Sequence, residues 1–214
     1  MKKTCIAVCV VFGMVSGAFA IDRNVRMIDT IGVETANFRD MTYAGLSLQV
    51  ENMLAAPSEK WAVLAGLTAG RYDPDTGPRI DSWSLSMGIR HYLTPVTTLS
   101  LLGSWRDDDA RAFKVASGTV GLRQRLLPAS FSISPWAEGR ISVQDAKLSG
   151  GFLSDRDRSF TAVVSAIDVG CDFLMSRQFA FVFHVGLSET STVQSGVQYA
   201  EGLTAGVAMR YFWP

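Results

Sequence analysis

Among the residues able to do chemistry, the two histidines, His91 and His184, and a set of charged side chains within apolar segments stand out. Read with period 2, His184 shares a face with Ala180, Val182, Gly186 and Ser188. A histidine and a serine can act as base and nucleophile, but only within hydrogen-bond reach. Four residues along a strand, at about 3.3 Å each, put Ser188 roughly 13 Å from His184 at the backbone. A hydrolytic pair would therefore need a partner from another strand, and the alternative is a polar histidine with no reaction to perform. His91 falls in the apolar register near a strand end and reads as interfacial.

The charged set is Arg90, Arg106, Arg123, Arg125, Glu138, Arg140, Asp168, Asp172 and Arg210, all in the register of small and polar residues. Around a channel, like charges of this kind set the field and select ions. Interdigitated with opposite charges, they pair and fill the space instead, as buried charges must. The second arrangement is the favoured expectation. Asp107-Asp108-Asp109 and Asp155-Arg156-Asp157-Arg158 lack the spaced ligands and turn glycine of a calcium loop, so they read as solvated loops. Cys171, flanked by Val169 and Phe173 on its face, behaves as a small hydrophobe. No catalytic residue, cofactor or metal is expected.

The elements that must position these residues are strands. Alternation is clean from Tyr43 to Glu51, from Trp61 to Tyr72 and through Ser82 to Arg90, and it continues in Thr97 to Arg106 and Phe113 to Leu126. Further strands are expected over Phe131 to Val143, Val163 to Met175, Phe179 to Ser188 and the last eleven residues, with a less regular one from Val25 to Thr35. Polar loops are expected around 36–40, over Asp73 to Pro78, over Asp107 to Arg111 and, the longest, from Asp145 to Ser159. Pro135 removes a ladder donor and implies a bulge or strand end. A glycine recurs in alternate strands at Gly45, Gly88, Gly121, Gly170 and Gly206. Short turns alternate with longer loops, as in an up-and-down meander. The count is about ten strands, with eight or twelve as alternatives; an even number returns both termini to the short-turn end.

Alternation alone does not say which face points outward. The polar face is rich in Gly, Ser and Ala rather than the Lys, Glu and Thr of a solvated surface, which suits a narrow lumen. The apolar face carries Trp61, Trp83, Trp105, Phe173, Phe179, Tyr211 and Trp213 toward strand ends, as an interfacial girdle requires. Because lipid offers no hydrogen-bond partners, only a closed sheet satisfies every backbone group. The expected fold is therefore all-β, a closed antiparallel up-and-down transmembrane β-barrel, rather than a soluble β-sandwich.

Residues 1–20 carry Lys2 and Lys3, an apolar run from Cys5 to Val15 and Ala18-Phe19-Ala20, the three-part pattern of a cleaved signal peptide. Residues 21–214 form the barrel domain. The whole chain holds 20 basic and 20 acidic side chains, and loss of Lys2 and Lys3 leaves a net of −2, which gives no broad basic surface for nucleic acid. Cleavage also leaves Cys171 alone, which excludes an intramolecular disulfide.

In the terminal strand, a polar residue at Thr204, Gly206 two on, and hydrophobic Met209 and Tyr211 three and five beyond the glycine form a pattern. It resembles the C-terminal targeting strand of bacterial outer-membrane β-barrels. The departure is the end, where Trp213 is followed by Pro214 instead of closing the chain on an aromatic residue. With the architecture of the whole mature chain, this resembles small outer-membrane barrels of the opacity or surface-antigen type. The resemblance implies an outer-membrane location, contact with the lipid bilayer and lipopolysaccharide, and insertion by the barrel-assembly machinery. It also implies a structural or surface-interaction role through external loops that meet a host or envelope ligand. The alternatives are a narrow porin-like passive pore with an arginine-rich lumen and, behind it, a lipid-modifying hydrolase. Ten-stranded outer-membrane proteases are a poorer comparison, because ten strands consume the chain and leave no length for a superstructure.

Overall fold

The computed structural model describes residues 25–38, 41–54, 60–75, 79–108, 113–127, 131–148, 158–192 and 201–214. The signal peptide expected over residues 1–20 therefore lies outside the described residues. Ten strands follow in chain order: β1 (Met27–Phe38), β2 (Met41–Met53), β3 (Trp61–Pro74), β4 (Ile80–Tyr92) and β5 (Thr97–Asp108), then β6 (Phe113–Arg125), β7 (Ile133–Leu148), β8 (Arg158–Ser176), β9 (Phe179–Thr192) and β10 (Gly202–Trp213). Each pairs antiparallel with its chain neighbour, and β1 closes on β10 from Met27↔Trp213 to Phe38↔Gly202. Closure leaves no sheet edge, so the ladder satisfies the backbone of every strand.

Several boundaries differ from the expectation. Ala36 to Phe38 continue β1 up to a two-residue connection at 39–40, whereas 36–40 was expected as loop. Asp107 and Asp108 belong to β5, and the long loop expected from Asp145 shrinks to 149–157 because β7 and β8 pair out to Leu148↔Arg158. At 36–38 and 145–148, polar exterior residues conceal a strand whose interior neighbours, Ala36, Phe38 and Ala146, stay apolar. Alternation of short and long connections also fails at the start, since β1–β2 is joined by two residues and β2–β3 by 54–60. The two longest connections, 149–157 and 193–201, still lie at the end opposite the termini, here called distal.

Pro135 is the third residue of β7 and pairs with Cys171. Its carbonyl accepts from Leu126 N at 2.8 Å, just past the end of β6, so its missing donor falls where that ladder stops. The bulge is elsewhere, at Leu174/Ser176 beside the Arg177–Gln178 turn.

The exterior carries a continuous apolar band. On β3 it runs from Trp61 to Ala69, eight steps that span about 20 Å at about 3.3 Å per residue and about 40° tilt. At the proximal rim, Trp61 stacks on His91 at 4.1 Å and Tyr211 meets Trp213 edge-on at 4.7 Å. Trp83 and Trp105 mark the distal boundary, at 43% and 45% exposure. Beyond them the exterior turns ionic, with Arg71 paired to Asp81, Arg79 to Asp73 and Lys114 to Asp107.

Candidate functional site

The lumen is built from interior positions of all ten strands, and its side chains lean over small residues on neighbouring strands. Trp136 on β7 lies over Gly170 of β8, and His184 on β9 lies over Gly206 of β10. A Cβ at Gly170 would overlap the Trp136 indole, and one at Gly206 would overlap the imidazole. Two of the recurring glycines thus have a cause: a large interior side chain needs the space above the next backbone.

The nine charged residues singled out in the sequence all project into this lumen, where they are joined by Glu51 of β2 and Glu34 of β1. Asp172 is the hub. Its Oδ2 accepts from Arg125 and Arg210, each at 2.9 Å, while its Oδ1 accepts from Trp136 Nε1 at 2.9 Å. Arg125 also donates to Ser134 Oγ at 3.1 Å. Arg123 donates to Glu138 Oε2 through Nε at 2.7 Å and Nη2 at 2.5 Å, and its guanidinium lies 4.1 Å from the Trp136 ring centroid. Arg140 bonds Asp168 Oδ2 at 2.5 Å, and Arg90 bonds Glu51 Oε2 at 2.5 Å. Tyr92 donates to the other Glu51 oxygen. Arg106 stands apart toward the distal end, where it donates to the Tyr72 hydroxyl and lies 5.9 Å and 5.8 Å from the Tyr43 and Tyr72 ring centroids.

Two apolar layers bracket this network. The distal one gathers Ala36, Met41, Tyr43, Tyr72, Ile80, Val115, Ala146, Phe160 and Ala162 from seven strands, none more than 7% exposed. Such low exposure means that these side chains pack closely on one another. The proximal layer packs Leu174, Ala180 and Phe212 with Val25 and Ile28. Polarity therefore inverts along the barrel axis. Over the band the barrel is apolar outside and polar inside, and at its distal end it is ionic outside and apolar inside, like a water-soluble barrel.

His184 sits in this interior with Nδ1 3.9 Å from Asp168 Oδ1 and its ring 6.4 Å from Trp136. Ser188 Oγ instead donates to Gly202 O at 3.5 Å, so the structure does not bring the two into a nucleophile–base pair. His91 faces outward, with Nδ1 2.9 Å from Lys60 O. Asp107 is engaged by Lys114 at 3.1 Å, whereas Asp109 and 155–157 lie outside the described residues. Thr204, Gly206, Met209 and Tyr211 all lie in β10, with Met209 and Tyr211 outward and Thr204 and Gly206 inward.

The architecture has counterparts among solved structures. The β domain of the Bordetella autotransporter BrkA matches with a TM-score of 0.56 at 10% identity, over 87% of this chain and 98% of that one. The translocator domain of autotransporter NalP from Neisseria meningitidis matches with a TM-score of 0.53 at 13% identity, over 90% and 91%. The fold is that of the bacterial outer-membrane β-barrels. Neisserial surface protein A covers 87% of this chain at 10% identity, with 96% of its own length matched and a TM-score of 0.47. No sequence-family model and no curated protein sequence matches this chain.

Sequence reasoning missed Glu51, Glu34 and the distal apolar layer. Glu51 was visible as the last polar-face residue of its strand, and its role depends on Arg90, 39 residues away. The distal layer had a signal too, because Tyr43, Tyr72, Ile80 and Phe160 are large apolar residues on the polar register near strand ends.

Proposed function

We propose that this protein is an integral barrel of the bacterial outer membrane, termini in the periplasm, acting as a structural or surface-interaction protein through its distal loops. The observation that carries this reading is the lumen: its arginines are ion-paired or held by tyrosine, and an apolar layer from seven strands covers them distally. Selectivity by fixed charge needs fields that mobile ions can feel. Here carboxylates at contact distance offset the fields of Arg90, Arg123, Arg140 and Arg210, and the distal layer narrows the lumen. The exterior band of about 20 Å, between aromatic rims, fits the roughly 25 Å apolar belt of a spanning barrel. The ligand contact then falls to the connections at the distal end.

The test has two parts. Residues 21–214, refolded and heat-modifiable on gels, are added to a planar bilayer, where this reading expects no reproducible current steps. Exchanging the distal loops for those of an unrelated barrel should keep folding and abolish attachment to host or envelope surfaces. Steady conductance that shifts its ion preference on Arg90→Ser or Arg123→Ser overturns the proposal in favour of a pore.

A further inference from the structure

One lumen carboxylate differs from the rest. Glu51, Glu138, Asp168 and Asp172 each accept from an arginine, whereas Glu34 makes no ion pair or hydrogen bond with the described residues. It points inward from the middle of β1, and its register partners are Gly45 of β2 and Gly206 of β10, neither of which has a side chain to reach it. Tyr43 leans over Gly45 and His184 over Gly206, so the carboxylate is flanked on both sides and bonded on neither. A carboxylate drawn into a barrel needs a counter-charge, or else it stays hydrated or takes up a proton. The lumen beside it has space for an occupant. Ser47, Thr68, Ser84 and Ser86 are only half-buried although they face inward, and the side chain of Arg140 is 40% exposed. Ten strands about 4.8 Å apart and tilted by about 40° close on a backbone radius of roughly 10 Å, and walls of Gly, Ser and Thr leave much of that width open.

We infer that this part of the lumen, beneath the distal layer, binds one small organic cation, an ammonium group on a short hydrocarbon body, through Glu34. The sign follows from the charges. Arg140, the half-exposed cation of the lumen, is neutralised by Asp168 at 2.5 Å, and Arg106 is held among the distal tyrosines, while Glu34 has no counter-charge. The hydroxyl wall has the same preference. Ser47 donates to Gly32 O and Ser86 to Gly66 O, each at 3.4 Å, so their oxygens are left to accept from an occupant. An ammonium group has three donors and no acceptor, which matches a carboxylate set among such oxygens. Tyr43 and Tyr72, with ring centroids 4.7 Å apart, close the distal end with aromatic carbon, which suits a hydrocarbon body. A bare metal ion is the poorer fit. It asks for several oxygens at about 2.3–2.6 Å, and no group of three acidic, histidine or cysteine ligands occurs among the described residues. This site goes beyond the surface role and does not depend on it, because the distal loops take no part.

The full chain is expressed, and the folded, heat-modifiable barrel is purified in mild detergent. It is dialysed to equilibrium, long enough for solutes to pass the distal layer, against isotope-labelled n-butylammonium, its neutral counterpart n-butanol, or butyrate. Wild type should take up one n-butylammonium per barrel and bind it about tenfold or more tightly than either control. Folded Glu34→Gln should bind it about tenfold less tightly, the loss expected when a charge-assisted contact is removed. Glu34→Asp, which keeps the charge, should keep the preference for the cation. Glu189→Gln, which removes a carboxylate from the exterior, should bind as wild type does and so separates the lumen site from general surface attraction. Equal binding by wild type and Glu34→Gln overturns the inference, and so does loss of the same size in Glu189→Gln. The comparison of the three solutes on wild type decides without any variant: uptake of butanol or butyrate equal to that of n-butylammonium overturns the inference and leaves Glu34 with water or a proton alone.

Discussion

Asp172 holds two arginines and an indole at once, so its loss cannot be absorbed locally. Asp172→Ala leaves Arg125 and Arg210 facing each other with no anion between them, and removing one partner of a buried ion pair costs about 3–5 kcal/mol. Urea unfolding of the variant in detergent or lipid should show that loss. Restoring charge balance in Asp172→Ala/Arg210→Met should recover much of it, because the remaining guanidinium still has Ser134. A double-mutant cycle reads the coupling directly. His184 offers a contrasting test. With no serine among the described residues paired to it, His184→Ala should leave any lipid hydrolysis by the purified barrel at background, the same as wild type; a clear loss of measurable esterase activity in the variant would reinstate the enzymatic reading.

Between strands, fit is decided by which backbone lies beneath a large interior side chain. Gly206→Ala puts a methyl group into the His184 ring, and overpacking of this kind costs about 1–3 kcal/mol. The second-site change His184→Ala should relieve it, so the pair should unfold closer to wild type than Gly206→Ala alone. That rescue separates crowding from any role of Gly206 in targeting, which His184→Ala would not repair. On the opposite face of the same strand, Tyr211→Ala removes an outward ring of the proximal girdle that also belongs to the C-terminal pattern. Its expected effect is reduced outer-membrane accumulation, measured by fractionation, with refolding of the purified chain into detergent less affected.

Across the whole barrel, the distal layer is the barrier and the ion-pair network is the fill. If the layer closes the lumen, thinning it should open one: Tyr72→Ser/Phe160→Ser removes two of its largest rings. In planar bilayers this variant should show current steps that wild type lacks. Silence from a folded variant would place the barrier in the ion-pair network instead.

The sequence by itself determined the fold class and the face of every residue in the clean strands, because a two-residue period is a local property that any closed sheet must respect; it put the strand count at about ten with eight or twelve open, and closure of the sheet fixed it at ten. It also marked the lumen charges, since an arginine or carboxylate on the small-residue register has nowhere else to point. Strand ends were read less well. There the exterior is ionic and the interior apolar, so Ala36 to Phe38 and Asp145 to Leu148 looked like loops until their partners were known. Only the tertiary structure decided which charges meet: Arg90 with Glu51, Arg140 with Asp168, and two arginines on Asp172. The register that joins them is set by barrel closure from Met27↔Trp213 to Phe38↔Gly202, a contact between the two ends of the sheet that no local pattern encodes. The distal layer has the same origin, since its side chains come from seven strands and share a core only once the sheet has closed.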